Sequence, residues 1–68
     1  MQYQGNVVEK VGNVIGLELE ANNEERMVRI ALNDVSKNWK VGDKVKFEGY
    51  LKEQNLVIIP TRELGRIA

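Results

Sequence analysis

Hydrophobic and polar residues alternate along most of this chain with a period of two. The alternation is clearest over residues 44–52, where Val45 and Phe47 stand between charged neighbours. Residues 14–21 and 27–32 alternate in the same way. Because successive side chains of a β-strand point to opposite faces, this period predicts strands with one face on a core and the other in water.

Turn signals divide the pattern into five strands. Gly12-Asn13 predicts a two-residue hairpin turn, since both residues tolerate positive φ. Polar residues 21–25 and 53–55 predict two more turns, and the Val-Gly-Asp run at 41–43 predicts another. The resulting strands cover residues 3–11, 14–21, 27–32, 44–52 and 56–59.

Pro60 is expected to mark an edge of the sheet or the end of the fifth strand, because proline lacks the N–H that a central strand donates. Residues 60–64 would then form a C-terminal cap or a short tail. Residues 56–59 are apolar on both faces, with Val57 and Ile59 on one of them. Unless the barrel closes fully or the tail covers this strand, an apolar strip remains exposed, and it predicts a protein partner or a homodimer that binds through the fifth strand.

A short helical turn is predicted between the third and fourth strands. Asn33 or Asp34 can cap it, and Val35 and Trp39 are spaced so that both point to one side. Three meandering strands, this turn and a final hairpin favour a single all-β domain over residues 1–68, folded as a closed five-stranded Greek-key barrel. Val35 and Trp39 would plug the open end of that barrel.

Several other residues are assigned to the wall or the core of the predicted barrel. Phe47 is expected in the core, and Tyr3 is expected to cover it. Gly5, Gly16 and Gly49 lie within strands. A residue without Cβ lets a strand coil sharply, so these positions are consistent with closure of a small barrel.

Three short segments resemble the small OB domains, a class that includes bacterial translation initiation factor one. Gln4-Gly5-Asn6-Val7-Val8-Glu9, Leu17-Glu18-Leu19-Glu20 and Gly42-Asp43-Lys44-Val45 are similar to their first, second and fourth strands. The resemblance covers most of the chain and implies an OB-like barrel. An SH3-like barrel is the alternative, but it normally has its helical turn between strands four and five. The chain departs from the initiation-factor pattern in being neutral rather than basic and in its C-terminal residues.

Composition narrows the classes of function. The chain has ten Lys and Arg residues, ten Asp and Glu residues, and neither Cys nor His. The usual zinc ligands and the usual general base are therefore missing. With one Ser and one Thr as the hydroxyl nucleophiles, we predict no enzymatic activity and no cofactor.

The distribution of charge and hydropathy suggests a compartment and a surface. Residues 1–34 carry three basic and six acidic side chains, whereas residues 35–68 carry seven and four. This split suits an oriented surface or self-association. The chain has no basic start followed by an apolar run and no apolar stretch that could cross a bilayer. We therefore expect a cytoplasmic protein without membrane contact.

Lysines around one tyrosine carry the main functional prediction. Lys44, Lys46 and Lys52 share the outward face of the fourth strand with Tyr50, and Arg29 adds a cation on the third strand. A stacking ring among cations is typical of single-stranded nucleic-acid binding, although alternating lysines also keep a small sheet soluble. The prediction is a non-catalytic binding module for single-stranded RNA or DNA, and a protein-interaction or structural adaptor module is the alternative.

The predicted second and third strands weigh against nucleic acid. OB barrels usually bind ligands across these strands, where Glu18 and Glu20 would repel phosphates. Their outward residues include no aromatic side chain and only one basic side chain: Val14, Gly16, Glu18, Glu20, Met27, Arg29 and Ala31.

Overall fold

The computed structural model describes residues 1–21, 24–52 and 57–67, so the predicted turns at 21–25 and 53–55 lie partly or wholly outside the described residues. The strands are β1 (Gln2–Val11), β2 (Val14–Ala21), β3 (Glu24–Ala31), β4 (Lys44–Lys52) and β5 (Val57–Ile67). They close into one barrel in the order β1-β2-β3-β5-β4. The predicted all-β class and closed five-stranded barrel are confirmed. Within the described ranges, no helix is long and apolar enough to cross a membrane.

The β1–β2 hairpin follows its sequence signal. Val11 pairs with Val14 across a tight turn in which Gly12 has a φ of 57°. The register then shifts between Val7 and Glu9, which makes the intervening residue an extra one in β1. The predicted hairpin is confirmed, and such a bulge bends β1 and increases its twist.

β5 joins β3 to β4 and so closes the barrel. It runs parallel to β3, with Arg29 opposite Val57 at one of two paired positions. It runs antiparallel to β4 over its whole length, from Val57 opposite Lys52 to Ile67 opposite Lys44. The other strand pairs are antiparallel. Closure removes the free edges that a five-stranded sheet would otherwise expose.

The expected end of the fifth strand at Pro60 is wrong, because β5 continues to Ile67. Pro60 lies opposite Gly49 at a shift in the β4–β5 register, and β3 pairs with β5 only before this residue. The missing N–H of proline is therefore tolerated at an irregular position of the ladder. The residues expected to form a cap or tail are instead the second half of a barrel strand.

The core is a set of buried aliphatic residues around two aromatic rings. The ring centroids of the fully buried Trp39 and Phe47 are 5.1 Å apart, and Tyr3 stacks on Phe47 at 5.4 Å, as expected for these three residues. The alternation in β4 places Leu51 inward, but it is 52% exposed, because β1 pairs with β4 only as far as Glu48. The remaining buried aliphatic residues are Val7, Ile15, Leu17, Val28, Ile30, Val45 and Ile58.

Residues 32–43 connect β3 to β4 through turns and contain no helix, so the predicted helical turn is not confirmed. Asn33 instead stabilises a turn, since its Oδ1 accepts hydrogen bonds from the N–H groups of Val35 and Ser36 at 2.9 and 3.3 Å. The buried Ser36 hydroxyl donates to the Ala31 carbonyl at 2.9 Å. Side chains therefore satisfy backbone groups that a longer helix would have paired internally.

Polar contacts hold this segment against the barrel. Trp39 Nε1 donates to Glu63 Oε2 at 2.9 Å. Lys10 Nζ donates to the carbonyls of Lys37 and Trp39 at 2.9 and 3.1 Å. Val35 packs against the core beside them. The predicted packing of Val35 and Trp39 into the barrel is confirmed.

Gly49 allows β4 and β5 to approach more closely than a side chain would permit. A Cβ at this position would lie 2.6 Å from the carbonyl oxygen of Ile59. Gly65 belongs to the same strand pair, opposite Lys46, and a Cβ there would have no neighbour within 4 Å. There is therefore room for a methyl group at Gly65 but not at Gly49.

We predict that Gly49→Ala lowers the free energy of unfolding by about 1–3 kcal/mol, because the backbone must shift to admit a methyl group. The control, Gly65→Ala, should leave stability unchanged or raise it by up to about 1 kcal/mol through the entropy of the unfolded chain. Urea denaturation measures both values. Equal stabilities of the two variants would contradict the close contact at Gly49.

Candidate functional site

The residues predicted to bind nucleic acid fall into two groups on the barrel. Lys44 and Lys46 lie in the half of β4 that pairs with β1. Tyr50 and Lys52 lie in the other half, where β4 pairs with β5 but no longer with β1. At about 3.3 Å per residue, Lys44 and Lys52 are separated by roughly 26 Å along the strand. The two halves of β4 therefore present separate surfaces.

Arg29 belongs with the second of these groups. It pairs with Val57, which pairs with Lys52 on its other side. Residues directly opposite each other share a face, and two strand spacings of about 4.8 Å place Arg29 and Lys52 roughly 10 Å apart. Tyr50 lies beside them, opposite Ile59, and is 53% exposed. The structure thus brings together three of the five predicted residues.

The line of residues that contains Lys52, Val57 and Arg29 continues across β2 to the end of β1. Arg29 lies opposite Gly16, and Gly16 lies opposite Glu9. Val11 and Val14 form the next outward pair. These five residues line a shallow groove with a volume of 290 Å³, which we call the Gly16 groove. We call the residues aligned across the five strands the outer row: Glu9, Gly16, Arg29, Val57 and Lys52.

Sequence reasoning does not single out Glu9 or Val11 as site residues. Their positions nevertheless have a local signal, because a two-residue turn after Val11 places it opposite Val14 and places Glu9 opposite Gly16. The pairing of Arg29 with strand β5 has no comparable signal. It joins parallel strands that are distant in sequence, and their register depends on the closed barrel.

Lys44 is held by an acidic partner. Its Nζ lies 3.1 Å from Glu20 Oε1. Gln4 and Asn6 donate to the same carboxylate at 3.3 and 3.4 Å. The hydrogen bond from Lys44 is the largest cause of a pKa for Glu20 below its ordinary value, and the two amides lower it further. Glu20 therefore stays ionised and offsets the charge of Lys44. This pairing weakens the attraction of Lys44 for phosphate, and it also weakens the repulsion of phosphate by Glu20.

The remaining predicted contact residues differ in exposure. Lys46 is exposed on β4. Val57 and Ile59 are half-buried, because β5 lies between β3 and β4 in the closed barrel. Closure therefore leaves less apolar surface exposed on the fifth strand than an open sheet would. Apolar exposure is larger on the adjacent hairpin, at Val11 (62%) and Val14 (43%).

The described ranges contain no group of three or more His, Cys, Asp or Glu side chains placed to hold a metal ion. Comparisons with protein-family models, curated proteins and solved structures found no significant match. The candidate site is therefore defined by geometry: two cations and an exposed ring on one face, next to a shallow groove.

We predict that Lys44→Gln raises the pKa of the Glu20 carboxyl toward its ordinary value, because the largest cause of its lowering is removed. A pH titration of the Glu20 side-chain carbon by NMR measures this change. Because the folded-state pKa is lowered, the stability from this pair is present above about pH 4.3, the ordinary glutamate value, and is lost as pH falls through the lowered pKa. The loss should be smaller in Lys44→Gln.

The matched control is Lys46→Gln, which removes the same charge two residues along β4. It should leave the Glu20 titration unchanged. Identical titrations of Glu20 in the wild type and in Lys44→Gln would contradict the assigned contact.

Proposed function

We propose that this chain is a non-catalytic module that binds single-stranded RNA or DNA on the outer face of its barrel. The observation that carries the proposal is the alignment of Arg29 and Lys52 in one row, with the exposed Tyr50 beside them. Single strands are bound by cations that follow the phosphates and by rings on which bases stack. Both kinds of group lie on this face within about two strand spacings.

The contribution of each basic residue follows from its partners. Lys44 is paired with Glu20, and Arg62 lies 3.2 Å from Glu48, so both are largely offset. Lys46 is exposed, and we assign it a secondary contact to a strand that extends along β4. Since both the affinity for phosphates and its salt dependence scale with the number of counterions released, few available cations imply modest binding with a small salt dependence.

An OB-like Greek-key arrangement of the barrel is part of the proposal. The parallel pairing of β3 with β5, among otherwise antiparallel neighbours, supports it. In OB barrels the ligand lies across the second and third strands. Gly16 and Arg29 occupy those strands here, so the outer row extends from the expected ligand face to Lys52.

Protein binding on the same surface is the second candidate function. It is favoured by the exposure of Val11 and Val14 and by the half-buried Val57 and Ile59 on β5. A homodimer or adaptor contact would bury these apolar groups. Analytical ultracentrifugation and a pull-down together distinguish the candidates, since a strict monomer that retains no protein partner is inconsistent with the second.

We predict that the double variant Arg29→Gln/Lys52→Gln binds an oligo-uridine strand more weakly than the wild type and with less dependence on salt. Each phosphate contact contributes about 0.7 to the slope of log affinity against log salt, so the slope should fall by about 1.4. Fluorescence anisotropy titrations at several salt concentrations measure both effects.

The control variant is Lys37→Gln/Lys40→Gln, which makes the same change in net charge at exposed positions before β4. It should keep nearly the affinity and slope of the wild type. Equal losses in the two double variants would show that only net charge matters, and the proposed face would be wrong.

We predict that Tyr50→Ala weakens binding by about 1–3 kcal/mol, the usual contribution of one base stacked on a ring. Tyr50→Phe should retain most of the affinity, because the ring remains. Since Tyr50 is 53% exposed, we expect both variants to stay folded, which circular dichroism checks. Unchanged affinity in folded Tyr50→Ala would exclude stacking at this position.

A further inference from the structure

The Gly16 groove is flanked by opposite charges that do not pair with each other. Glu9 on β1 and Arg29 on β3 both lie opposite Gly16 and are both exposed. Within the described part of the chain, neither side chain takes part in a hydrogen bond or an ion pair. Lys44 and Glu20, by contrast, pair directly on the same barrel. The groove therefore offers a free acceptor on one side and free donors on the other.

We propose that the Gly16 groove binds one guanine base of the single strand, an inference that rests on the proposed function. The Glu9 carboxylate accepts hydrogen bonds from N1–H and from the N2 amino group of guanine. Arg29 donates to guanine O6, and its guanidinium, which has five N–H donors, keeps others for a phosphate. The backbone at Gly16 lies under the base, with Val11 and Val14 at its side.

The arrangement selects guanine because of the donors on its Watson–Crick edge. Guanine has two adjacent donors there and an acceptor, O6, next to them. Adenine and cytosine each present one amino group beside an acceptor nitrogen, and uracil presents one N–H between two carbonyls. An ionised carboxylate only accepts hydrogen bonds, so these acceptors would face the Glu9 oxygens without a partner.

The dimensions of the groove agree with a single base. Its volume of 290 Å³ is near the lower end of small-molecule sites, at about 300 Å³. Two strand spacings separate the Cα atoms of Glu9 and Arg29 by roughly 10 Å, which leaves room for one planar ring between the ends of their side chains. A Cβ on Gly16 would lie 3.2 Å from Glu9 Cβ and 3.6 Å from Glu9 Oε2. The Glu9 side chain therefore lies against Gly16 at the floor of the groove, and a larger side chain at position 16 would displace the carboxylate that is proposed to meet the base.

The position of the carboxylate also supports a base rather than a phosphate in the groove. Glu9 is at one end of the outer row, Arg29 is at its centre, and Lys52 is at the other end. A phosphate is repelled by Glu9 and attracted by Lys52. The sugar-phosphate backbone would therefore run over Arg29 on the side toward Lys52, and the base would point from there toward Glu9, across two strand spacings or roughly 10 Å.

Fluorescence anisotropy with four oligo-uridine nonamers, each with guanine, adenine, cytosine or uracil at the central position, tests this inference. The wild type should bind the guanine-containing strand about tenfold more tightly than the others, as expected for one bidentate contact. Glu9→Gln should lose most of this preference, because the amide replaces an acceptor with a donor. Glu18→Gln, which removes the same charge from the outward side of the neighbouring strand β2, should keep it.

Two further measurements locate the base. Gly16→Val should lose the preference for guanine while it keeps affinity for uridine at Tyr50 and Lys52, since the valine side chain fills the floor of the groove. In the wild type, the amide signal of Gly16 should shift more with the guanine-containing strand than with oligo-uridine. The same amide response to both strands would place the base elsewhere and overturn the inference.

The outcomes separate this inference from the proposed function. Equal affinity of the wild type for all four strands would overturn the guanine site and leave nucleic-acid binding intact. A preference that persists in Glu9→Gln would also overturn the site. A uniform gain for every strand in both Glu9→Gln and Glu18→Gln would mean that the carboxylates act by repulsion alone, against the inference. Binding to none of the strands would overturn the proposed function together with the guanine site.

Discussion

The pairing of β5 with both β3 and β4 closes the barrel, and most other features of the structure depend on it. It requires the close approach at Gly49, where a side chain would collide with the β5 backbone. It also places the Pro60 carbonyl 3.0 Å from Asn33 Nδ2, which ties the connection between β3 and β4 to β5. The same pairing places Arg29 and Lys52 on either side of Val57 in β5, two strand spacings apart. Core and candidate site therefore depend on one set of backbone contacts.

Local patterns account for the parts of the structure that the sequence predicts correctly. The period of two locates the strands, and the turn at Gly12 determines the β1–β2 register, because each signal involves neighbouring residues. Pro60 misleads for the opposite reason: the rule about proline is local, whereas its tolerance here depends on an irregular position opposite Gly49. The candidate site shows the same limit. The outward positions of Lys44 and Lys52 are predictable from alternation, but the partner of each across the barrel is not.

Net charge is a poor guide to this surface, because many of its charges have structural partners. Lys10 donates to two backbone carbonyls of the segment that covers the core, and Lys44 is offset by Glu20. Arg29 and Lys52 have no such partner in the described ranges. A chain with a net charge of zero can therefore carry a local cationic pair. Its long-range field is weak, so steering of an anionic ligand contributes little and short-range contacts decide binding.

The balance between long-range attraction and short-range contacts determines how well such a module would discriminate between single strands of different sequence. Phosphate contacts raise the affinity for every strand alike, whereas contacts to base edges discriminate between strands. In a strongly basic protein, phosphate contacts supply most of the binding free energy. One base contact of about 1–3 kcal/mol is then a small fraction of the total. On the outer row only two aligned cations are available for phosphate contacts. One base held between Glu9 and Arg29 would therefore make up a large share of the binding free energy. Under the proposed function, a neutral barrel with this groove would therefore be better suited to selecting a short motif than to coating a long single strand.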